Sequence, residues 1–245
     1  MAGISLTLRS GQIEKNMSKE HSASTYARQC AQLATSHGWL WNAPTPAENR
    51  EPATLILAHG AGAPMDSEFM NDIAQRLAAL GVGVLRFEFP YMAQRRIDGG
   101  KRPPNPQPKL LDCWREVHAT LRPHISGRLA IGGKSMGGRM ASLLADELQA
   151  DALICLGYPF YAAGKPEKPR VSHLAELQTP TLILQGERDA LGNRETVEGY
   201  TLSRHIHVHW LPTANHDLKP LKAAGVSQEA SLQTVAEQIA RKLVG

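Results

Sequence analysis

The sequence predicts an α/β fold in which a mostly parallel sheet is covered by helices on both faces. Short, unbroken apolar runs alternate with segments whose apolar residues recur every three or four positions, which indicates strand–helix–strand units. The runs lack polar alternation, as is typical of parallel strands buried on both faces. The 245 residues are 42% hydrophobic, which is enough apolar material for one core of this kind.

Six apolar runs are predicted to be the main strands of this sheet. Such strands are joined by right-handed crossovers, which place the intervening helices on the two faces. A helix and a short leading strand at GWLW are predicted ahead of them, within residues 22–42. The main strands are ATLILAHG (53–60), GVGVLRFEF (81–89), RLAIGGKS (128–135), ALICLG (152–157), TLILQG (181–186) and HIHVHWL (205–211).

Three segments with helical spacing lie between and after these runs. One long stretch breaks the pattern: residues 92–109 hold four prolines and two glycines, so we predict a loop without a helix through its middle. The helical sets are Phe69, Met70, Ile73, Leu77 and Leu80; Met140, Leu143, Leu144 and Leu148; and Leu232, Val235, Ile239 and Leu243.

The composition of the chain limits which partners and which cellular compartment are expected. The 27 basic and 23 acidic residues give a net charge of +4 without a long cationic run, so nucleic-acid binding is not indicated. No apolar run reaches the roughly 18 residues of a membrane span, and no membrane partner is expected. The cysteines Cys30, Cys113 and Cys155 form no CxxC pair, which fits a reducing cytoplasm.

The first residues are treated separately from the fold. The apolar patch near the start is too short for a signal peptide. Met17 is a possible second start, so residues 1–16 are interpreted as a leader or an artificial extension that is disordered. Residues 17–245 are predicted to form a single domain.

A serine between glycines stands where the strand at 128–134 ends and a helix begins near Met136. The sequence Gly133-Lys134-Ser135-Met136-Gly137 fits the pattern G-x-S-x-G, which requires this strand–turn–helix setting. Side chains at the two glycines would collide with a neighbouring strand or helix. A tight turn of this kind lifts the serine hydroxyl clear at the carboxyl edge of the sheet. Ser135 is therefore a candidate nucleophile, the alternative being a glycine turn chosen only for packing.

A serine nucleophile needs a base, and the base needs a carboxylate to orient it. Asp189 follows the strand TLILQG, and His216 lies in the loop after HIHVHWL. The order serine, acid, histidine, each after its own strand, matches an established arrangement of such a relay. Glu187 would face the other way if the strand continued, and Asp217 cannot easily reach the ring of its own neighbour. We therefore predict Ser135, Asp189 and His216 as the catalytic residues.

A developing oxyanion needs hydrogen-bond donors beside the nucleophile. One donor is predicted to be the N–H of Met136, directly after the serine. The second is predicted in the loop AHGAGAP (58–64), where Ala61 or Gly62 turns its N–H inward without a side chain in the way. A glycine turn chosen for tightness alone is the other interpretation of this loop.

Four segments together resemble the dienelactone-hydrolase-like branch of the α/β-hydrolases. They are LILAHGAGAPMDSEFM, GGKSMGGRMAS, PTLILQGERDALG and HWLPTANHDLKP. More closely, they resemble a group of small bacterial hydrolases whose relatives include a subunit of a eukaryotic histone-acetyltransferase complex. The resemblance covers about residues 53–243.

The resemblance implies an α/β-hydrolase fold and cleavage of an ester-like bond. It implies Ser135, Asp189 and His216 as the triad, with the turn at 60–62 and Met136 as the oxyanion hole. True dienelactone hydrolases carry a cysteine nucleophile, so the serine here puts that specific activity in doubt. The region 157–179 is short, which implies little or no lid and an open site.

Two further groups of side chains are weaker candidates. His205, His207 and His209 share one face of a strand and are a possible zinc site. An edge strand with a partly solvated face is the preferred interpretation, and no metal is expected.

Four cations on the long loop form a possible cationic rim that would attract acidic substrates. These four are Arg95, Arg96, Lys101 and Arg102. Lys165, Lys168 and Arg170, in the loop after ALICLG, are predicted on the same side.

The sequence thus predicts a cytoplasmic serine hydrolase that acts on an ester, thioester or lactone. The substrate is predicted to be a small molecule, an acidic one being an alternative to a neutral one, and no cofactor is required. Two other functions stay open. One is a non-catalytic scaffold of the same fold in a protein complex, and the other is a peptidase of the same fold. The oligomeric state is not predicted.

Overall fold

The strands form one twisted sheet in the computed structural model, which describes residues 25–46 and 53–244. Within these residues the sheet has seven strands in the order β1-β3-β2-β4-β5-β6-β7. Among them β1 alone runs antiparallel, against β3. The strands are β1 (Leu40–Asn42), β2 (Ala53–Ala58), β3 (Val82–Phe87), β4 (Leu129–Lys134), β5 (Ala152–Leu156), β6 (Thr181–Gly186) and β7 (Ile206–Leu211).

Helices cover both faces of this sheet. The first described helix, α1, runs through residues 25–37. The others are α2 (Glu68–Ala79), α3 (Pro90–Asp98), α4 (Gln107–Leu121), α5 (Met136–Ser142), α6 (Arg194–Glu198) and α7 (Gln228–Val244). Helices α1, α4 and α5 pack on one face, whereas α2 and α7 pack on the other. The predicted α/β class, with a mostly parallel sheet between two helical layers, is confirmed.

The core is divided between these two faces by the alternation of side chains along each strand. In β2, Ile56 and Ala58 belong to the cluster under α1, α4 and α5, whereas Leu55 and Leu57 belong to the cluster under α2 and α7. All six residues of β2 are buried. Burying a large apolar side chain stabilises a fold by about 1.5–3 kcal/mol, so an unbroken apolar strand is stabilised from both sides.

The sequence predicts the strands well and the helices less well. All six main strands, the leading strand, α1, α2 and α7 are confirmed. The helix after Ser135 is shorter than its apolar spacing indicates, because α5 ends at Ser142 and residues 143–149 form turns. Leu144 and Ala145 in those turns are buried nevertheless. The spacing there reports burial rather than continued helix.

The prediction of a long loop at residues 92–109 is wrong at both ends. Helix α3 occupies Pro90–Asp98, and α4 begins at Gln107, which leaves only residues 99–106 without regular structure. Proline is tolerated in the first turn of a helix, where its missing N–H has no partner to lose. Gly99, at φ 69°, ends α3 in the left-handed conformation that glycine adopts without strain.

Nothing resembling a lid lies between β5 and β6. Residues 157–180 contain no α-helix and only one short 3₁₀ turn at Ser172–Ala175. The prediction of little or no lid is confirmed. Along the described chain, every helix is too short or too polar to span a bilayer. The interpretation of residues 1–16 falls outside the described residues, and the single-domain assignment stays a prediction.

Candidate active site

The turn between β4 and α5 holds Ser135 in an unusual backbone conformation. Its φ of 51° and ψ of −115° lie in a region that residues with a side chain rarely adopt. Its N–H donates to the carbonyl oxygen of Leu156 at 2.9 Å, and its carbonyl oxygen accepts from the N–H of Arg139 at 3.0 Å. The chain is thereby fixed on both sides of the serine, at the carboxyl end of β4.

The glycines around Ser135 are required by close backbone contacts. A Cβ on Gly133 would lie 2.6 Å from the carbonyl oxygen of Ala58, and one on Gly137 would lie 2.6 Å from the carbonyl oxygens of Ala58 and His59. Real Cβ atoms essentially never approach an atom so closely. The predicted collision with a neighbouring strand is therefore confirmed for both positions.

The structure brings Ser135, His216 and Asp189 together in a line. The Nε2 atom of His216 lies 2.9 Å from Oγ of Ser135, and its Nδ1 atom lies 2.7 Å from Oδ2 of Asp189. An ionised carboxylate only accepts hydrogen bonds, so Nδ1 carries the proton and Nε2 is free to accept from the serine hydroxyl. The neighbouring acids are engaged elsewhere: Glu187 pairs with Arg194 at 2.9 Å, and Asp217 lies 3.4 Å from Nζ of Lys134.

Asp189 is fully buried and held by two donors besides the histidine. The N–H of Leu191 donates to Oδ1 at 2.7 Å, and Nε2 of Gln185 donates to Oδ2 at 2.9 Å. Gln185 is itself fixed, because its Oε1 accepts from the N–H of Tyr158 at 2.7 Å. Sequence reasoning missed Gln185. The available signal was a single amide in the otherwise apolar strand TLILQG.

Lys134 connects the serine strand to the histidine loop. Its Nζ donates to the backbone carbonyl of His216 at 2.6 Å. Its side chain is nearly buried, and burial lowers the pKa of Lys134, opposed by the carboxylates of Asp217 and Asp189. The sequence left the direction of this side chain open. The structure shows that the ammonium group holds the loop that carries His216.

Two side chains fix the loop at residues 60–62. His59 accepts from the N–H of Phe89 through Nε2 at 3.1 Å, so its Nδ1 carries the proton and donates to the carbonyl oxygen of Gly60 at 2.6 Å. Burial lowers the pKa of His59, consistent with this neutral form. The Tyr91 hydroxyl donates to the carbonyl oxygen of Ala61 at 2.9 Å and lies 3.3 Å from that of Gly60.

These contacts also set the direction of the N–H groups in the loop. In a trans peptide the C=O and N–H bonds point in opposite directions. Carbonyls held by His59 and Tyr91 therefore turn the N–H groups of Ala61 and Gly62 to the other side of the loop. The loop adjoins the serine, because a Cβ on Gly60 would lie 3.7 Å from Cβ of Ser135.

Two of the four predicted rim cations already have carboxylate partners. Arg96 forms ion pairs at 2.6 Å with both Asp66 and Glu88, and these two contacts raise the pKa of Arg96. Arg102 is paired with Asp98. These pairs neutralise part of the positive charge on which the cationic-rim hypothesis depends.

The other two rim cations have no such partner. Within the described chain no ion pair involves Arg95, which is half-buried, or Lys101, which is exposed. A nearby cavity of about 460 Å³ has Tyr91, Arg102 and Lys109 in its wall, and neither Arg95 nor Lys101 lines it. A cationic contribution to substrate binding stays a prediction, and it depends on the two unpaired side chains of Arg95 and Lys101.

The histidine face on β7 shows no metal-ligand arrangement. Across residues 25–46 and 53–244, no group of three or more histidine, cysteine or acidic side chains is placed to hold a metal ion. Strand β7 lies at the edge of the sheet, as predicted, and His207 is exposed. Burial and the neighbouring His207 lower the pKa of His209. This is the partly wet edge strand that the sequence favours.

A serine on the turn after a central parallel strand, in line with a histidine and a buried acid from later strands, defines the α/β-hydrolase class of protein. The sequence model of the protein family described as "Alpha/beta hydrolase domain" matches residues 51–244. The chain belongs to this family. Among curated protein sequences, none matches the chain.

Solved structures share this fold at low sequence identity. A serine hydrolase without a lid from Xanthomonas campestris is 22% identical, with a TM-score of 0.64 over 84% of this chain and 88% of that one. A dienelactone hydrolase from Anabaena variabilis is 20% identical, with a TM-score of 0.60 over 80% and 89% of the two chains. Est1E from Butyrivibrio proteoclasticus, solved with ferulic acid, is 17% identical, with a TM-score of 0.59 over 83% and 92%. These likenesses show the fold, and the relation to a histone-acetyltransferase-complex subunit stays a prediction.

Proposed function

We propose that the protein is a serine hydrolase that cleaves an ester, thioester or lactone through a covalent acyl-enzyme. One observation carries this proposal. The hydroxyl of Ser135, the ring of His216 and the carboxylate of Asp189 form an unbroken hydrogen-bonded line, with contacts of 2.9 and 2.7 Å. A serine hydroxyl is a weak nucleophile until a base removes its proton, and this line supplies an oriented base.

In the first half of the reaction, Oγ of Ser135 attacks the substrate carbonyl carbon while Nε2 of His216 takes the hydroxyl proton. Asp189 stabilises the positive imidazolium and keeps its ring in place through Nδ1–H. The tetrahedral intermediate then collapses, and His216 gives its proton to the departing alcohol or thiol. The products of this half are an acyl ester on Ser135 and the leaving group, which is free for an ester or thioester and stays attached to the acyl chain for a lactone.

In the second half, a water molecule replaces the leaving group. His216 takes a proton from the water, whose oxygen attacks the acyl carbon, and the new tetrahedral intermediate releases the carboxylic acid. The same proton returns from His216 to Oγ of Ser135. Lys134 supports both halves by holding the backbone carbonyl of His216, which keeps the imidazole beside the serine.

The oxyanion of both intermediates needs donors that are already in position. We assign this role to the N–H of Met136 and to the N–H of Ala61 or Gly62. Support comes from the carbonyls of Gly60 and Ala61, which are held away by His59 and Tyr91. Losing one such donor typically costs about 2.7–4 kcal/mol of barrier lowering, so this loop contributes substantially to the proposed rate.

A fluorophosphonate probe tests the proposal, because it labels only an activated serine. We expect the unmutated protein to be labelled and to hydrolyse p-nitrophenyl esters. Ser135→Ala should abolish both, whereas Ser36→Ala, at an exposed serine on α1, should change neither. No labelling of the folded, unmutated protein would favour a non-catalytic scaffold. Labelling combined with cleavage of amides rather than esters would favour a peptidase.

The substrate class is tested with esters of graded acyl length, both neutral and acidic. We propose a small-molecule substrate and a cytoplasmic enzyme. If the two unpaired rim cations matter, the double variant Arg95→Ala with Lys101→Ala should lower the rate for acidic esters more than for neutral ones. An unchanged preference would remove the cationic rim from the proposal.

A further inference from the structure

Arg139 lies one helical turn beyond the proposed nucleophile. Side chains on a helix lean toward its N-terminal end, so the guanidinium group is carried back toward the edge of the sheet where Ser135 lies. It reaches the start of α4 there, where Nη1 donates to Oε1 of Gln107 at 3.3 Å. Two residues earlier, Oδ1 of Asn105 accepts from the N–H of Tyr91 at 2.8 Å. Arg139 and the loop held by Tyr91 therefore face the same end of the sheet.

The charge of Arg139 has no counter-ion in the described part of the chain. Arg96 and Arg194 each pair with two carboxylates there, but no carboxylate pairs with Arg139. Its side chain is half-buried, and its Nε atom is buried without a hydrogen-bond partner. Buried donors in folded proteins are nearly always satisfied, so an unpartnered one indicates a missing water, ion or ligand.

The surroundings add positive charge rather than cancel it. Arg170 is exposed, and among the described residues its side chain forms no ion pair. It lies close enough to lower the pKa of Arg139, an effect smaller than that of burial. Burial, followed by the charge of Arg139, lowers the pKa of His173 to about 4, so this histidine is neutral near pH 7. The hydroxyl of Tyr158 lies 3.5 Å from Nε2 of His173 and donates to the carbonyl oxygen of Arg170.

We propose that Arg139, assisted by Arg170, binds a carboxylate at the far end of the substrate's acyl chain. This inference rests on the proposed function and names the substrate class of the same site: half-esters or half-thioesters of dicarboxylic acids. The guanidinium group matches a carboxylate with two parallel hydrogen bonds. Nη1 is engaged with Gln107, whereas Nη2 is neither buried nor hydrogen-bonded within the described chain. A substrate carboxylate that accepts from Nη2 supplies the missing counter-charge.

The assignment differs from the cationic rim that the sequence predicts. The rim residues Arg96 and Arg102 lie on α3 and the loop after it, and both are paired with carboxylates. Arg139 lies on the helix that starts directly after Ser135, and its only polar side-chain contact in the described chain is the amide of Gln107. An acidic substrate is therefore recognised next to the nucleophile rather than on the outer loop.

The experiment compares matched ester pairs that differ only in the terminal carboxylate. The anionic members are the p-nitrophenyl monoesters of glutaric and adipic acid, and the neutral members are p-nitrophenyl valerate and hexanoate. For the unmutated protein we expect kcat/KM to favour the anionic ester of at least one pair by about tenfold to a hundredfold, as a charge-assisted hydrogen-bonded pair provides. Arg139→Gln should remove this preference and leave the neutral rate within about threefold.

Two variants serve as controls. Arg139→Lys keeps the positive charge but not the planar guanidinium group with its parallel N–H donors, so we expect it to retain part of the preference for the anionic ester. Arg115→Gln removes an exposed arginine on α4 that pairs with Glu147 and Asp112, and the preference should persist. The inference would be overturned if Arg139→Gln kept the same ratio of kcat/KM for the anionic ester to kcat/KM for the neutral ester as the unmutated protein. It would also be overturned if the unmutated protein showed no preference for the anionic ester.

Inhibition of the unmutated protein keeps the test decisive if Arg139→Gln does not fold. Glutarate should inhibit hydrolysis of p-nitrophenyl valerate competitively and more strongly than the uncharged glutaramide. Equal inhibition by the two compounds would overturn the inference. Failure of the proposed function is distinguishable, because the unmutated protein would then neither react with a fluorophosphonate nor hydrolyse the neutral esters.

Discussion

Ser135 combines a strained backbone with the position of the proposed nucleophile. Its φ of 51° and ψ of −115° are held by the bonds to Leu156 and Arg139 on either side. Strain of this kind costs on the order of 1–3 kcal/mol and persists only where the surroundings enforce it. The neighbouring glycines remove the collisions that would otherwise forbid the turn. The geometry of the serine is therefore maintained at the expense of stability.

This strain predicts that Ser135→Gly makes the protein more stable than Ser135→Ala. Both variants remove the hydroxyl, but only glycine adopts the observed φ and ψ without strain. After allowing for the greater freedom of glycine in the unfolded chain, we expect a difference of about 1 kcal/mol in the free energy of unfolding. Urea denaturation of the two inactive variants measures it. A Ser135→Ala protein that is equally stable would show that the turn is not strained.

The hydroxyl of Tyr91 has a proposed function in shaping the oxyanion loop. Its hydroxyl holds the carbonyl oxygen of Ala61, and without it the peptide between Ala61 and Gly62 is held less firmly. We expect Tyr91→Phe to lower kcat for a neutral ester by about three- to tenfold while KM changes less, because the oxyanion develops in the transition states and tetrahedral intermediates and is absent from bound substrate. Tyr200→Phe, which removes an exposed hydroxyl that contacts Pro166 at 3.4 Å, is the control. A change in KM alone would contradict this role.

At the scale of elements, the start of α5 packs directly on the backbone of its neighbours. Gly133, Gly137 and Gly138 bring the start of the helix against β2 and β4, with no room for a methyl group at any of the three. Helix α5 also follows β4 directly, without an intervening loop. The serine is thus placed by two rigid elements and not by a flexible connection.

This close packing predicts a large effect of Gly137→Ala on stability. The new methyl group would lie 2.6 Å from two backbone oxygens, which can move only by shifting β2. We expect the free energy of unfolding to fall by about 1–3 kcal/mol. Gly62→Ala is the matched control, since a Cβ there meets nothing within 4 Å, and its effect should stay below about 1 kcal/mol. Equal stability of the two variants would rule out the packing argument.

Apolar runs predict elements where burial and backbone conformation agree. The six main strands are buried on both faces or lie at the sheet edge, and the runs mark them closely. The pattern fails at residues 143–149, where Leu144 is buried in turns, and at residues 90–98, where the prolines and glycines conceal α3. At residues 143–149 the apolar spacing reports burial, although the backbone forms turns. At residues 90–98 the prolines and glycines indicate a break, although the chain forms a helix.

At the scale of the whole molecule, the order of the parallel strands gathers residues that are far apart in the chain. The proposed triad was predictable because each member directly follows a strand, and parallel strands end at the same edge. Gln185, the clamp made by Lys134 and the partners of Arg96 were not predictable. They depend on the directions of side chains, which neither spacing nor composition encodes.

Buried histidines predict that the whole fold loses stability in mild acid. Burial lowers the pKa of His59, His118 and His173, the last to about 4, below the usual value of 6.5. The unfolded chain therefore binds more protons between these values. The stabilisation is fully present above about pH 6.5 and is lost as the pH falls toward about 4.

Urea midpoints measured at pH 7.5, 6 and 5 test this prediction. The midpoint should fall at each step, and His173→Gln should reduce the fall because one of the groups is removed. His124→Gln, at an exposed histidine, is the control for the histidine-to-glutamine substitution itself. A midpoint that is constant between pH 7.5 and 5 would show that these rings are not held neutral by the fold.

The glycine packing of α5 also limits how this protein can be altered. A position that tolerates no added methyl group cannot be used to adapt the chemistry to another compound. Residues 99–106 and 163–170 contain no buried side chain, so they accept substitutions far more freely. Laboratory selection for a new reactant should therefore accumulate changes in these two segments and leave the serine turn as it is.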